Sequence, residues 1–545
     1  MMKKIIYTVA LAVLFILSMV SCSDHLQVED LETQRDATEE TYLEYLIASV
    51  IENAAKTYQD LSYDDMLLPC AVMHYQTLSG ETQNTYLDFY HTQGDWDTFY
   101  SQLRLVYASI EKAQKEENTA YEGIFMIFKA FYHALAADLY GPAIYTEALQ
   151  GREGIIYPSY DKEEVIYKGI LSDLKTANEL ILSSTKDISS TGDILYGGDL
   201  VKWQKFANSL RLRYLMRVSD KEPEWAEDGI SEMLSDESTY PLFDSADDNA
   251  GLTYLGTISS DSWPGGDLNM GDTDFLNRRP PRMIVDTLLV HDDPRLYVWI
   301  APAEKPWTTD PDKDGSTETI SLNGYDYEIE WEYLTDELKA EYGDYIVRTD
   351  SYWVGLIPGT TSESLLRHDN GNYDENTDQN YKVSTYSDLF HENANDLLKA
   401  TMMNADEVQF LLAEAVVKGI VSSGNAANYY KEGIKLSMNR WGITDESTIN
   451  EYLEKVSLSN DTDESLNQIA MQKWLALLFT STESYLDTRR TGLPDYSGVV
   501  TARDIPLRFR YPTSESGQNA ENYQEAITWL SPAEDDEYSK VWLLQ

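Results

Sequence analysis

The chain has 545 residues with a formal net charge of −51, and 42% of its residues are apolar and 12% aromatic. Its length and apolar content are those of a folded protein with a large helical body and a second lobe, and they exclude a minimal domain. A surface this acidic repels phosphate backbones, which argues against nucleic acid as a partner. Tyrosine accounts for 39 of the aromatic residues, a bias that suits wet surfaces that stack on ligands.

The N-terminus has the organisation of an export signal. A basic pair precedes an apolar stretch (residues 5–20) that is too short to span a bilayer, and small residues then lead to Cys22. The run MVSC ending at Cys22 resembles a bacterial lipobox, with methionine where leucine is more usual. The resemblance implies cleavage and lipidation at Cys22, so residues 1–21 are predicted to be a signal peptide and residues 22–36 a lipidated tether. An ordinary signal peptide that contains a cysteine is the alternative.

Four later stretches carry apolar residues at the three-and-four spacing of an amphipathic helix. The first ends at a Gly-Pro pair and the third at a glycine, both of which are helix stop signals. The apolar positions are Phe125, Phe128, Phe131, Tyr132, Leu135, Ala136 and Leu139; Phe206, Ala207, Leu210, Tyr214 and Val218; Val408, Leu411, Leu412, Ala415 and Val416; and Leu466, Ile469, Ala470, Trp474, Leu477 and Leu478. Trp203 and Trp474 lie on such stripes and are predicted to be core residues.

Helical patterns dominate both ends of the chain but not its middle. Residues 240–399 are rich in Gly, Pro, Asp, Asn, Ser and Thr, with interleaved tryptophans and a short strand pattern at Tyr325–Trp331. We therefore predict an N-terminal helical-repeat region at 37–239, a loop-rich ligand-binding lobe at 240–399, and a C-terminal helical region at 400–545 that completes the same body. Since the sequence has no clean 34-residue period, any tetratricopeptide character rests on analogy.

Five segments behind the lipobox form a recognisable series. They are Phe128–Leu149 (FKAFYHALAADLYGPAIYTEAL), Lys202–Asp220 (KWQKFANSLRLRYLMRVSD), Asp293–Leu296 (DPRL), Ala405–Gly419 (ADEVQFLLAEAVVKG) and Gln472–Tyr496 (QKWLALLFTSTESYLDTRRTGLPDY). In this order and spacing they resemble the SusD/RagB family of nutrient-binding outer-membrane lipoproteins. The resemblance implies an all-α fold, a tetratricopeptide-like helix-pair scaffold with a large loop-rich insertion lobe.

The same resemblance implies a function in nutrient uptake. The expected role is the capture of an oligosaccharide at the cell surface and its delivery to a SusC-like TonB-dependent outer-membrane transporter. The expected location is the outer membrane, facing the cell exterior, with membrane contact through the lipid anchor alone. A peptide-binding member of the family, a surface glycoside hydrolase and a purely structural surface subunit are the alternatives.

Enzyme signatures are missing from the sequence. It contains no G-x-S-x-G elbow, P-loop, G-x-G-x-x-G fingerprint or H-E-x-x-H motif, and its seven histidines are scattered. We therefore predict no enzyme activity and no required cofactor. A glycosidase needs only two carboxylates about 5–10 Å apart, so the hydrolase alternative stays open.

One acidic turn has the start of a calcium loop. Asp310, Asp312 and Asp314 alternate before Gly315, as carboxylates do around a calcium ion. Ser321 stands where an EF-hand places its closing glutamate, so a complete EF-hand is excluded. A plain acidic turn is the simpler interpretation, and a partial Ca²⁺ site at Asp310, Asp312 and Asp314 is the alternative.

Aromatic rings on loops are the predicted ligand contacts, because exposed rings stack on sugar faces or side chains while amides and charges bind the polar edges. By the resemblance, ligand sites lie in a loop after the first helix and in the insertion. The predicted substrate-binding residues are Tyr75, Asn84, Trp263, Trp307, Trp331 and Arg348, with Tyr325, Tyr333 and Trp353 nearby in the lobe. For each ring, packing in the small core of the lobe is the alternative.

Overall fold

The computed structural model describes residues 42–63, 73, 75–78, 94–342, 348–356, 373–374, 379–495 and 505–545. The helices of this part of the chain are α1 (Leu43–Tyr63), α2 (Gly94–Lys115), α3 (Thr119–Tyr140), α4 (Glu163–Leu182), α5 (Leu200–Val218), α6 (Pro223–Ser235), α7 (Asp272–Asn277), α8 (Arg282–Val290), α9 (Leu296–Trp299), α10 (Asp336–Tyr342), α11 (Ala405–Val417), α12 (Ala426–Arg440), α13 (Glu446–Lys455), α14 (Thr462–Ala476), α15 (Ser481–Thr491), α16 (Thr513–Gln518) and α17 (Ala520–Ile527). None of these helices is both long enough and apolar enough to cross a bilayer.

The strands are short and pair in twos. They are β1 (Thr77–Leu78), β2 (Ala250–Thr253), β3 (Arg278–Arg279), β4 (Ile300–Ala301), β5 (Trp307–Thr308), β6 (Thr317–Leu322), β7 (Tyr325–Glu330), β8 (Glu332–Tyr333), β9 (Tyr373–Asp374), β10 (Gln379–Asn380), β11 (Thr385–Tyr386) and β12 (Lys399–Met403). The pairs are β1–β3, β2–β12, β4–β11, β5–β8, β6–β7 and β9–β10. The predicted all-α class, with helix pairs and a loop-rich insertion, is confirmed.

The helices α2 to α6 form a ladder in which each packs on the next. Helix α3 is buried on nearly every side, so its apolar surface extends beyond the single stripe that the sequence predicts. The side chain of Asn118 caps its start, and Gly141, at a φ of 88°, ends it where the sequence predicts a stop. At Gly123 the next helix comes so close that a Cβ would lie 2.7 Å from the carbonyl oxygen of Ala177.

A buried charge cluster joins the helices from the two ends of the chain. Arg213 on α5 donates two hydrogen bonds of 2.6 Å to the Glu407 carboxylate on α11. One turn further along α5, Arg217 binds the carboxylate of Glu483 on α15 at 2.7 Å. Because each charge is paired at short range inside the core, the N-terminal and C-terminal helices are held together in a single body.

The lobe between the two helical groups contains the short helices α7 to α10, together with strand pairs and loops. Its most regular feature is the hairpin β6–β7, whose six residue pairs run from Thr317 opposite Glu330 to Leu322 opposite Tyr325. The two-residue turn is Asn323-Gly324, with φ values of 52° and 89°, as a tight hairpin turn requires. The predicted strand at Tyr325–Trp331 is confirmed as β7, which ends one residue earlier at Glu330.

Candidate ligand-binding site

The structure buries four of the rings predicted to bind ligand. Tyr75, Trp263, Trp307 and Trp331 have at most 3% of their surface exposed. Tyr75 stacks on Trp474 with ring centroids 5.5 Å apart. For these rings the structure shows the core-packing alternative, and in this conformation they offer no face to a soluble ligand.

The remaining predicted site residues are placed separately. Arg348 is partly exposed and forms an ion pair of 2.7 Å with Asp286 on α8. Asn84 and Cys22 lie outside the described residues. The binding role of Arg348 and Asn84 and the lipidation of Cys22 stay predictions.

Two of the three carboxylates predicted as calcium ligands bind the protein's own backbone. Asp310 accepts a hydrogen bond of 3.0 Å from the N–H of Asp312, which caps a short 3₁₀ turn. Asp314 accepts one of 2.9 Å from the N–H of Tyr333 and so ties the turn to β8. These contacts are those of a capped acidic turn, and Ca²⁺ binding at Asp310, Asp312 and Asp314 stays a prediction.

A row of contacting rings runs from the surface of the lobe into its interior. We call Tyr297, Trp353, Tyr352 and Trp331 the aromatic strip, because each contacts the next in that order. The centroids of Tyr297 and Trp353 are 5.3 Å apart, those of Trp353 and Tyr352 are 5.6 Å apart, and those of Tyr352 and Trp331 are 5.3 Å apart. Tyr297 is 42% exposed and the rings of residues 352 and 353 are half-buried, so the strip runs from solvent into the lobe, ending at the buried Trp331.

The exposed end of the strip is positioned by the DPRL segment. Asp293 and Arg295 form an ion pair of 2.6 Å with neither side chain exposed. Arg295 also donates to Ser437 on α12 at 3.1 Å and to Gln472 on α14 at 2.8 Å. Tyr297 follows two residues later on α9, so its position is set by an anchor in the C-terminal helices.

The middle of the strip is held by backbone hydrogen bonds on both sides. The Tyr352 carbonyl accepts from the N–H of Ala303 at 2.8 Å. The next residue but one, Val354, exchanges hydrogen bonds with Ser384, whose N–H donates to the Val354 carbonyl at 2.8 Å and whose hydroxyl accepts from the Val354 N–H at 3.1 Å. The two rings at 352 and 353 are therefore fixed although they lie outside any regular strand.

Glu318 on β6 links two rings of the strip. Its Oε1 accepts from the indole N–H of Trp331 at 2.5 Å and from the hydroxyl of Tyr352 at 3.2 Å. Burial, followed by the negative charge of Glu318, raises the pKa of Tyr352 above its usual value, so the phenol stays a neutral hydrogen-bond donor. The Lys313 ammonium lies 4.7 Å from the centroid of the Trp331 ring.

The arrangement provides what a binding surface for a sugar or a peptide needs. Aromatic faces and edges offer apolar contact, and an exposed carboxylate and an exposed ammonium beside them offer hydrogen bonds. The residues predicted from the sequence to contact ligand did not include Tyr297 and Tyr352, which the structure adds to the candidate surface. The available signals were the tyrosine directly after DPRL and the adjacent pair of rings in Ser351-Tyr352-Trp353.

The helical scaffold and the loop-rich lobe, which brings rings to its surface, are matched by a known family. The family model SusD-like_2, described as "Starch-binding associating with outer membrane", matches residues 34–345 and 360–512. This chain belongs to the SusD-like family of nutrient-binding outer-membrane proteins, as its sequence segments predict. No curated protein sequence matches it.

Solved structures share the fold over almost the whole chain. A SusD homologue from Bacteroides fragilis NCTC 9343 has a TM-score of 0.71 and 23% identity, covering 93% of this chain and all of its own. An outer-membrane protein from Bacteroides vulgatus ATCC 8482, whose description links it to nutrient binding, has a TM-score of 0.71 and 26% identity over the same shares. A chitin-binding protein has a TM-score of 0.69 and 23% identity, covering 92% of this chain and 98% of its own.

Proposed function

We propose that this protein captures an uncharged oligosaccharide on the aromatic strip, at the outer face of the outer membrane, and delivers it to a SusC-like TonB-dependent transporter. The observation that carries the proposal is the strip itself, a row of rings that reaches solvent in a chain of the SusD-like family. The family description names starch, and one of the similar structures is that of a chitin-binding protein. Both starch and chitin are uncharged glycans.

The geometry of the strip supports sugar over flat aromatic ligands. Successive rings meet at 79°, 79° and 56°, so they present faces and edges in alternation and form no continuous plane. Such a surface suits a bent chain of rings that each have an apolar face and polar edges. The net charge of −51 repels polyanionic glycans at long range, which favours a neutral ligand.

Binding can be tested on the chain from residue 23 onward by calorimetry against neutral glycans, acidic glycans and peptides. We expect saturable binding of a neutral glycan without product release. Tyr297→Ala should weaken it about fivefold, the effect of losing a ring contact of about 1 kcal/mol. Tyr157→Ala is the matched control, since Tyr157 is 62% exposed but lies outside the lobe, and it should bind as the parent does.

Three other results would contradict the proposal, two of them in favour of a different function. Binding of cationic peptides alone would favour the peptide alternative, for which the acidic surface provides long-range attraction. Release of reducing ends from a polymer would favour the hydrolase. Equal glycan affinities for Tyr297→Ala and Tyr157→Ala would remove the strip as the binding surface.

Delivery and anchoring need separate experiments. Lipidation predicts that a fatty-acid analogue labels the protein in cells and that Cys22→Ala abolishes the label. Delivery predicts that an outer-membrane barrel co-purifies with the protein from its native host and that deleting the barrel gene stops uptake of the bound glycan. Binding without any such barrel would leave capture intact and refute delivery.

A further inference from the structure

Three side chains of metal-ligating types meet in the lobe, and none of them belongs to the aromatic strip. A ligand atom of each of Asp267, Asp272 and His391 lies within 4.8 Å of the other two. Both aspartates are exposed and the histidine is half-buried. Since a metal ion sits about 2.0–2.2 Å from nitrogen and carboxylate ligands, a small rotation of the two exposed side chains would close the group around one ion.

The histidine ring is prepared for a metal by its surroundings. Its Nε2 lies 3.0 Å from the carbonyl oxygen of Met270. A carbonyl can only accept, so Nε2 carries the proton and, in the neutral ring, the lone pair of Nδ1 is left on the side of the aspartates. Phe275 stacks on the ring with centroids 4.4 Å apart and planes 6° apart, which fixes its orientation. A hydrogen bond from the far nitrogen to a carbonyl is the arrangement found behind metal-ligating histidines.

A plain ion pair explains the geometry less well. Nδ1 of His391 is 3.8 Å from Oδ1 of Asp272, whereas a charged N–H donating to a carboxylate lies about 2.7–2.9 Å away. Asp272 is free to approach, since its side chain is 86% exposed. The separation is too long for a direct hydrogen bond and leaves space for an ion between the two groups.

The backbone fixes the two segments that carry the ligands. The N–H of Asp267 donates to the carbonyl of His391 at 3.1 Å, and the N–H of Leu268 donates to the side chain of Asn393 at 2.8 Å. Gly266 makes this approach feasible, because a Cβ there would stand 2.8 Å from the Cα of Asn393. The segments that carry the three candidate metal ligands are thus held near each other by the protein alone.

We propose that Asp267, Asp272 and His391 bind a divalent transition-metal ion of the zinc class. One imidazole nitrogen and two carboxylate oxygens suit Zn²⁺, whereas Ca²⁺ takes oxygen ligands. Three protein ligands leave a fourth position for water or an external group. The ion fastens the loop at 263–272 to the segment at 388–393, whose Glu392 accepts a hydrogen bond from Tyr325 of the hairpin.

The test is a titration of the full-length protein, purified in detergent and free of any polyhistidine tag, with Zn²⁺ and separately with Ca²⁺. We expect one Zn²⁺ per chain. Asp272→Asn should lower the affinity for Zn²⁺ at least about tenfold, the scale of losses at metal sites. Because the Asp272 side chain is exposed, a folding defect would not explain such a loss. Asp274→Asn, an exposed aspartate on the same helix, is the matched control and should bind Zn²⁺ as the parent does.

A second readout separates the site from adventitious binding. Co²⁺ bound by the parent should give a visible absorption spectrum that His391→Gln changes and His291→Gln leaves as it is. Equal Zn²⁺ affinities in the parent and Asp272→Asn, absence of saturable binding, or a preference for Ca²⁺ would each overturn the proposal.

Discussion

Replacing Arg295 with methionine tests whether the DPRL ion pair anchors the lobe to the helical body. Arg295→Met leaves the Asp293 carboxylate buried without its cation, and it removes the donors to Ser437 and Gln472. Breaking one partner of a buried pair costs about 3–5 kcal/mol. We expect a loss of that size in the free energy of unfolding, measured by urea titration with fluorescence detection.

The double variant Asp293→Leu with Arg295→Met supplies the control. With both charges gone, no uncompensated carboxylate remains, and replacement of a buried pair by apolar residues is often close to neutral. The double variant should therefore be more stable than the single one. A single variant that costs less than about 1 kcal/mol, or a double variant that is equally damaged, would refute the idea that charge pairing holds this anchor.

Three further outcomes follow from buried or close contacts. Burial raises the pKa of Glu163 from 4.5 to about 7, so the folded state keeps a proton that the unfolded state releases. This contribution to stability is complete below about pH 4.5 and is lost as the pH rises through 7, by up to about 3 kcal/mol. Glu163→Gln should flatten the pH dependence of the free energy of unfolding, measured by urea titrations at successive pH values. Gly123→Ala should destabilise the protein by about 1–3 kcal/mol in the same assay, since its Cβ would meet a helix backbone at 2.7 Å, whereas Gly151→Ala, in open space, should not. Glu318→Ala should lower the affinity for the glycan found by calorimetry about tenfold, because it releases two rings of the strip. Glu318→Gln can still accept hydrogen bonds from both rings and should retain most of the affinity.

The helical part of the fold was predictable because its signals are local. The stripe through Phe125 and Leu139 and the stop at Gly141 correspond to α3, which ends at Tyr140. Trp203 and Trp474, predicted as core from their stripes, have 0% and 2% of their surface exposed. The stripe that ends at Leu478 runs two residues past α14, because the chain turns there before α15 begins.

The candidate ligand surface was less predictable because it depends on contacts between distant residues. The sequence of a loop-rich segment does not show whether a tryptophan faces solvent or fills the core of the lobe. Trp307 is a buried example, since the buried Lys382 ammonium lies 3.6 Å from the centroid of its ring. Arg295 meets its partners Ser437 and Gln472 across more than 140 residues of sequence. DPRL could therefore be recognised as a family segment, while its role in positioning Tyr297 required the fold.

The helices and strands of the lobe are short, so its rings must be fixed by contacts with other parts of the chain. The exposed end of the strip depends on an ion pair anchored in the C-terminal helices, the middle on exchange of hydrogen bonds with Ser384, and the buried end on Glu318. These three supports come from separate parts of the chain, and none of them requires a ligand. A binding surface whose side chains are held in place beforehand loses less entropy on association. This is the physical reason to expect that ligand affinity will be more sensitive to the supports than to the length of the surrounding loops.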